Sequence, residues 1–166
     1  YMEALCALTD KLTLTKTGTD PDAPCVRVCR ADGSWTGLSF HGVPGGHEFN
    51  SFVVGLYNAA GPGQSIDPAL AEAIAAIDRP LDLQIVVALS CTMCPELVIA
   101  AQKIAASNPL VTAKVYDVNH FPELRERYKI MSVPCLIINK AKVAFGKKTL
   151  GQLLELLAEP EAGQTG

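Results

Sequence analysis

The chain has 166 residues, of which 49% are hydrophobic and 19% are charged, and its formal net charge is −3. This composition is typical of a globular protein with a core of its own and excludes a disordered chain. Basic residues do not cluster, which argues against a nucleic-acid surface, and no apolar run reaches the roughly 18 residues that a membrane span needs. The chain starts at Tyr1 without an export segment, so we expect a fragment or processed chain from the cytoplasm, where cysteines stay reduced unless they are catalytic.

The front of the chain predicts a short and incomplete α/β unit. Its first predicted strand is "LTLTK" at 12–16. A hairpin follows, with strands "PCVRVCR" at 24–30 and "SWTGLSF" at 34–40, because the intervening Asp32-Gly33 is a strong turn signal. The stretch "GHEFNSFVVGLYNAA" at 46–60 then predicts a helix, and "PALAEAIAAID" at 68–78 predicts a second helix after a Gly- and Pro-rich linker.

A more complete α/β unit is predicted from residue 81 onward. Leu83 to Leu89 is an almost unbroken apolar run of strand length, suited to a central parallel strand. Apolar residues at helical spacing follow it between 97 and 105, and "SNP" at 107–109 ends that helix. The remaining predicted elements are a strand at 112–118, a short charged helix at 122–129, hairpin strands at 135–139 and 142–146, and a closing amphipathic helix at 149–159.

This order, β-α-β-α-β-β-α with Cys-x-x-Cys after the first strand, resembles the thioredoxin-like fold. The front unit looks like a degenerate copy of the same fold, since Ala23-Pro24-Cys25-Val26 parallels Val133-Pro134-Cys135-Leu136. We therefore predict an α/β protein with two tandem thioredoxin-like folds, the first truncated at its N-terminus. The expected boundaries are a degenerate half at 1–62, a linker helix at 63–80, a half with Cys-x-x-Cys at 81–158 and a tail at 159–166.

The tandem arrangement, with "GHEF" at 46–49 ending the first half, resembles one family. It is the N-terminal domain of the flavoprotein component of alkyl hydroperoxide reductase and of related thioredoxin-reductase-like flavoproteins. The resemblance implies an electron relay between a flavoprotein reductase domain, in the same chain or a separate one, and a peroxiredoxin-type disulfide. No GxGxxG motif is present, so we expect this chain to bind no cofactor, with FAD and NAD(P)H held only by a downstream flavoprotein domain or a partner.

The pair Cys91 and Cys94 carries the predicted chemistry. Cys91 lies where a strand passes into a helix, and backbone N–H groups at a helix start favour a thiolate and lower its pKa from about 8.5 toward 7 or below. Cys91 is then the nucleophile, and the more buried Cys94 attacks the resulting mixed disulfide. A zinc site would need further ligands, and neither a second Cys-x-x-Cys nor a His-x-x-x-His is present. Cys25 and Cys29 would lie about 13 Å apart along a strand, too far for a disulfide. We therefore expect no metal and interpret Cys25 and Cys29 as structural.

The resemblance also points to Pro134 as a cis-proline opposite the Cys-x-x-Cys motif. Val133-Pro134 opens a predicted strand, a position that suits a residue without a backbone N–H. Cys135 follows directly and is interpreted as a small apolar residue of the core.

Proton transfer to and from Cys94 needs a carboxylate. Thioredoxins carry one on the active-site strand six residues before the first cysteine, where this chain has Ile85. Glu48 is the alternative candidate, and the resemblance points to the same residue. We expect it to lie half-buried between the two halves, with a raised pKa suited to general base work, unless it only caps the helix N-terminus. We also expect three apolar neighbours to pack toward the second half, namely Phe49, Phe52 and Val53.

Two other functional interpretations remain open from the sequence. One is a general protein disulfide reductase or glutaredoxin-like protein, and the other is a non-catalytic thioredoxin-like docking module in which the cysteines are incidental. His41 and His120 are predicted to lie in loops, without a partner visible in the sequence.

Overall fold

A computed structural model describes residues 1–18 and 20–160 of the chain. Six strands and six helices form an α/β arrangement within these residues. The strands are β1 (Cys25–Cys29), β2 (Trp35–His41), β3 (Leu81–Val87), β4 (Val111–Asp117), β5 (Cys135–Ile138) and β6 (Lys142–Phe145). The helices are α1 (Met2–Cys6), α2 (Glu48–Ala60), α3 (Pro68–Ala75), α4 (Cys94–Ser107), α5 (Glu123–Arg127) and α6 (Leu150–Ala158).

All six strands form one mixed sheet in the order β1-β2-β4-β3-β5-β6. Strands β2, β3 and β4 run parallel, whereas β1 pairs antiparallel with β2 and β5 lies antiparallel between β3 and β6. Residues 81–158 thus supply four adjacent strands in the thioredoxin-like order. The front hairpin extends this sheet through the pairing of β2 with β4, which is compatible with the predicted tandem arrangement.

Strand β3 lies inside the sheet, and its apolar run explains that position. Leu83, Ile85 and Val87 are completely buried on one face, against a core that α2, α3, α4 and α6 help to cover. Val86 points to the opposite face and joins a smaller cluster under α5. A strand covered on both faces needs apolar residues at successive positions, as the sequence predicted.

The predicted strand at 12–16 is wrong, because this segment has no regular secondary structure. Leu12 and Leu14 are half-buried and their threonine neighbours are exposed. An alternating segment becomes a strand only when it finds a ladder partner, and residues 12–16 pair with neither outer strand of the sheet, β1 or β6.

Other predicted elements are present with shifted ends. The strand predicted at Leu83 to Leu89 runs over Leu81–Val87 instead, because the carbonyl of Leu89 turns out of the sheet to accept a hydrogen bond from the amide of His47 (2.9 Å). The predicted tail at 159–166 lies outside the described residues from 161 onward. No helix in the described part of the chain has both the length and the hydropathy to cross a bilayer.

Candidate active site

The two cysteines of the Cys-x-x-Cys motif lie at the junction between β3 and α4 and differ in exposure. Cys91 is partly exposed, and its Sγ lies 3.9 Å from the carbonyl oxygen of Val133. Cys94 is the first residue of α4 and is completely buried. Pro95 follows in the first turn of α4, where the missing N–H leaves no helical hydrogen bond unmade. An accessible thiol therefore lies in front of a protected one.

Burial raises the pKa of the Cys94 thiol far above its ordinary value. Interaction with the Cys91 thiol and the negative charge of the Glu48 carboxylate raise this pKa further, while a backbone hydrogen bond at Ala88 opposes the shift. Cys94 is thus protonated at neutral pH and needs a proton acceptor before it can attack a disulfide.

Glu48 lies close enough to Cys94 for its charge to affect the thiol, and it is completely buried. Burial raises the pKa of its carboxyl group to about 7, and a hydrogen bond from Ser51 acts in the opposite direction. The Ser51 hydroxyl donates to Oε2, whereas Oε1 has no hydrogen-bond partner among the described residues. A carboxyl group that titrates near pH 7 and keeps one oxygen open can accept and return a proton.

Two contacts position Glu48 at the start of α2. The amide of His47 donates to the carbonyl of Leu89 (2.9 Å), two residues before Cys91. Gly46 has a φ of +55°, and a Cβ atom at this position would lie 2.6 Å from the same carbonyl oxygen. Only glycine allows this approach, so the Gly-His-Glu sequence brings Glu48 to the dithiol.

Helix α2 is in turn held against α4. The Gln102 side chain donates from Nε2 to the carbonyl oxygen of Ser51 (2.8 Å). The buried positions of α2 recur at helical spacing and face α4, and they are Glu48, Ser51, Phe52, Gly55 and Asn58.

The structure corrects two predictions about α2. Glu48 is fully rather than half buried, because it lies between helix α4 and the turn at Gly46 and His47 that contacts Leu89. Phe52 packs into the core as predicted, but Phe49 and Val53 are 44% and 37% exposed. These two residues are each one position beyond a buried residue, which turns them about 100° away from α4.

The peptide bond between Val133 and Pro134 is cis, as predicted. Pro134 immediately precedes β5, and the carbonyl of Val133 contacts Cys91, so this segment lies beside the dithiol. Cys135 is completely buried in β5, and burial raises the pKa of its thiol to about 11. This agrees with its predicted place in the core.

The environment of His41 was missed by the sequence analysis. It is the last residue of β2 rather than a loop residue, it is 3% exposed, and its ring stacks on Tyr116 with centroids 4.2 Å apart. Its direct cross-strand partner is Cys25, whose Sγ lies 3.8 Å from Nε2. The predicted hairpin strands, at 24–30 and 34–40, ended one residue before His41 and did not include the register shift at Val28 and Cys29, so they did not reveal this pairing.

The fold and the dithiol define a thioredoxin-like domain, and residues 81–158 match the family model described as "Thioredoxin domain". Over 162 residues the chain is 33% identical to the alkyl hydroperoxide reductase component AhpF of Pseudomonas aeruginosa, and the match covers 98% of this chain and 30% of that protein. The chain thus spans about a third of the length of the curated relatives it matches.

Solved structures give the same result. The "NTD_N/C domain of Alkylhydroperoxide Reductase AhpF" from Enterococcus faecalis superposes with a TM-score of 0.89 at 36% identity, covering 95% of this chain and 81% of that one. A protein disulfide oxidoreductase from Aeropyrum pernix shares the fold, with a TM-score of 0.66 at 22% identity over 73% of this chain and 54% of that one. The chain belongs to the AhpF family of alkyl hydroperoxide reductases, as an N-terminal thioredoxin-like domain. Membership in this oxidoreductase family supports a thiol–disulfide relay role.

Proposed function

We propose that this domain passes electrons from a flavin- and NAD(P)H-linked dithiol to the disulfide of a peroxiredoxin, with Cys91 as nucleophile, Cys94 as resolving thiol and Glu48 as acid–base group. The observation that carries the proposal is the buried Glu48 carboxyl group, with one unpartnered oxygen, next to the buried Cys94. A domain that only docks a partner has no use for this costly arrangement.

The forward reaction proceeds in two displacements. The Cys91 thiolate attacks one sulfur of the oxidised partner, an S–S bond breaks, and the partner's other sulfur leaves as a thiolate. Cys94 then gives its proton to Glu48 and attacks the Cys91 sulfur. This step forms the Cys91–Cys94 disulfide and releases the reduced partner, so two electrons have been transferred. The flavin-linked dithiol restores the Cys91–Cys94 thiols by the reverse sequence, and Glu48 returns the proton.

The charges at the site favour a role for Glu48 as a proton acceptor rather than as a carboxylate that stays ionised throughout the reaction. While ionised, the Glu48 carboxylate opposes formation of a second anion at Cys94 and raises the pKa of that thiol. Proton transfer removes the carboxylate charge at the moment the thiolate forms, so the pair never carries two negative charges. Because the pKa of Glu48 is about 7, a large fraction is ready to accept a proton at neutral pH.

The partner-binding surface is expected around the exposed side of the dithiol. Met93, inside the motif, is 54% exposed, and Met131, three residues before Pro134, is 92% exposed. Methionine side chains adapt to different apolar surfaces, which suits a site that must contact a reductant and a substrate in turn.

The test is single-turnover electron transfer from the reduced chain to an oxidised two-cysteine peroxiredoxin, with acid quenching, thiol alkylation and intact mass. We expect wild type to reduce one disulfide per chain, Cys91→Ser to transfer none, and Cys94→Ser to accumulate a mixed disulfide through Cys91. Glu48→Gln should slow resolution by about 100-fold, a typical contribution of a positioned acid–base group. Glu96→Gln is the matched control, because Glu96 is exposed two residues after Cys94.

Two outcomes would refute the proposal. If Cys91→Ser transferred electrons as fast as wild type, the dithiol would be incidental and the domain a docking module. If the disulfides of an unrelated test protein such as insulin were reduced as fast as the peroxiredoxin, the domain would be a general disulfide reductase.

A further inference from the structure

A second group of reactive side chains lies at the same edge of the sheet as the dithiol, at the end of β2. Asp20, Cys25 and His41 each offer one ligand atom, and these atoms all lie within 4.8 Å of one another. The hairpin register explains the pair formed by Cys25 and His41, because directly opposed residues of β1 and β2 point to the same side of the sheet. Asp20 joins them from the segment that leads into β1.

The imidazole of His41 is oriented as a metal ligand. Its Nδ1 lies 3.2 Å from the carbonyl oxygen of Asp22, which can only accept, so Nδ1 carries the hydrogen. The single lone pair of Nε2 then accepts a hydrogen bond from the Ser39 hydroxyl at 2.9 Å, and the Cys25 sulfur lies 3.8 Å from the same nitrogen. A metal ion at Nε2 would take the place of the Ser39 hydrogen bond. A backbone carbonyl that fixes the far nitrogen is the usual support of a metal-binding histidine.

The carboxylate of Asp20 is also fixed in place. Its Oδ2 accepts hydrogen bonds from Nε and Nη2 of Arg27, at 2.9 and 2.8 Å, and its Oδ1 accepts one from the Asp22 amide at 2.8 Å. Each carboxylate oxygen can accept more than one interaction, and metal-bound carboxylates commonly keep such outer hydrogen bonds. The Arg27 guanidinium lies over the Trp35 ring, 5.1 Å from its centroid, so it can stay in place as an outer cation.

We propose that Asp20, Cys25 and His41 bind a Zn²⁺ ion, with water in a fourth, tetrahedral position. Thiolate, imidazole and carboxylate are the three ligand types that zinc takes from proteins. At metal–ligand distances of about 2.0–2.3 Å, ligand atoms of a tetrahedral site lie about 3.3–3.8 Å apart, which the observed separation of the sulfur and the nitrogen meets.

The Cys25 thiol must lose its proton when the ion binds. Zinc binds cysteine as the thiolate, so the ion must displace the thiol proton. On binding, a Zn–S bond replaces the S–H bond of Cys25 and the proton goes to solvent.

This site is separate from the dithiol in position and in chemistry. His41 in β2 and the β3–α4 junction of Cys91 are separated by β4. Zinc has no redox chemistry, and the ion would join the segment before β1 to the end of β2. The relay reaction and the metal site can therefore be tested independently.

The test is metal binding to the full, untagged 166-residue chain carrying Cys91→Ser and Cys94→Ser, so that the dithiol offers no competing thiols. Co²⁺ is the probe, because a thiolate ligand gives it a charge-transfer absorption band, and Zn²⁺ is then added to displace it. We expect one equivalent of Co²⁺ with this band, complete displacement by Zn²⁺, and one retained Zn²⁺ by elemental analysis. Adding Cys25→Ser or His41→Gln should remove the band and weaken Zn²⁺ binding by more than about 100-fold.

Cys29→Ser is the matched control, since Cys29 is an exposed thiol on the same strand and should leave binding unchanged. Circular dichroism of the metal-free variants checks folding, and His41→Gln decides the question if Cys25→Ser does not fold. Failure of the parent chain to bind Co²⁺ or Zn²⁺ overturns the proposal, as does loss of binding in Cys29→Ser. Unchanged binding in a folded Cys25→Ser or His41→Gln variant overturns it equally.

Discussion

Replacement of Glu48 by glutamine is expected to remove a loss of about 2 to 3 kcal/mol in the free energy of unfolding between pH 5 and pH 8. In the folded chain the pKa of Glu48 is about 7, against 4.5 for a solvated glutamate. The folded state thus holds this proton more tightly than the unfolded state. The stability contributed by the protonated carboxyl group is complete below about pH 4.5 and is lost as the pH rises through 7.

The magnitude follows from these two pKa values. Their difference of about 2.5, at about 1.36 kcal/mol for each pKa unit, corresponds to about 3 kcal/mol, of which most is lost between pH 5 and pH 8. Glutamine is nearly isosteric and never ionises. The difference in free energy of unfolding between Glu48→Gln and wild type should therefore change by about 2 to 3 kcal/mol in favour of the variant over this range.

The assay is urea unfolding of the reduced chain, followed by circular dichroism at pH 5 and pH 8 in the presence of a non-thiol reductant. Glu96→Gln serves as control for removal of an exposed carboxylate near the dithiol, and its difference from wild type should not change with pH. If the difference between Glu48→Gln and wild type were also constant, Glu48 would titrate as a solvated carboxyl group. The acid–base role proposed for it would then lose its physical basis.

Three further predictions follow from the site. Gly46→Ala should lower the free energy of unfolding by about 2 kcal/mol or more in urea, and it should also slow resolution of the mixed disulfide. The reason is that the alanine Cβ would lie 2.6 Å from the Leu89 carbonyl oxygen, at a position where the backbone φ is +55°. A thiol-trapping redox titration should show a reversible two-electron couple at Cys91–Cys94 with a midpoint of about −180 to −270 mV, and a midpoint below about −300 mV would indicate a structural disulfide. Cys135 should resist alkylation in the native chain at pH 8 while Cys29 reacts, because Cys135 is buried with a pKa of about 11 and Cys29 is exposed. The labelled sites are mapped by mass spectrometry, and equal labelling of both cysteines would contradict this prediction.

The parts of the site that the sequence predicted correctly depend on local signals. The apolar run of β3, the Cys-x-x-Cys-Pro stretch and the helical spacing after it place Cys91 at a strand–helix junction without knowledge of any other element. The β5–β6 hairpin and α6 were predicted for the same reason. Cys135 was correctly placed in the core because it directly precedes apolar strand residues.

The errors concern choices between distant segments. Residues 12–16 carry a strand-like pattern but pair with no strand of the sheet, and nothing within the segment itself encodes the absence of a partner. The complete burial of Glu48 depends on the contact between His47 and Leu89, which belong to different halves of the chain. His41 was assigned to a loop because the hairpin was predicted one residue short, which concealed its pairing with Cys25.

The pairing of β2 with β4 limits which part of this domain can be expressed on its own. Residues 81–158 match the thioredoxin family model, yet in the chain their outer parallel strand is covered by the front hairpin. Expression of residues 81–158 alone would leave β4 as a bare edge with unpaired backbone groups, and such edges promote aggregation. It would also uncover the apolar surface of α4 that α2 protects. The front hairpin thus protects the edge of β4 within the same chain, and a soluble minimal domain must retain it.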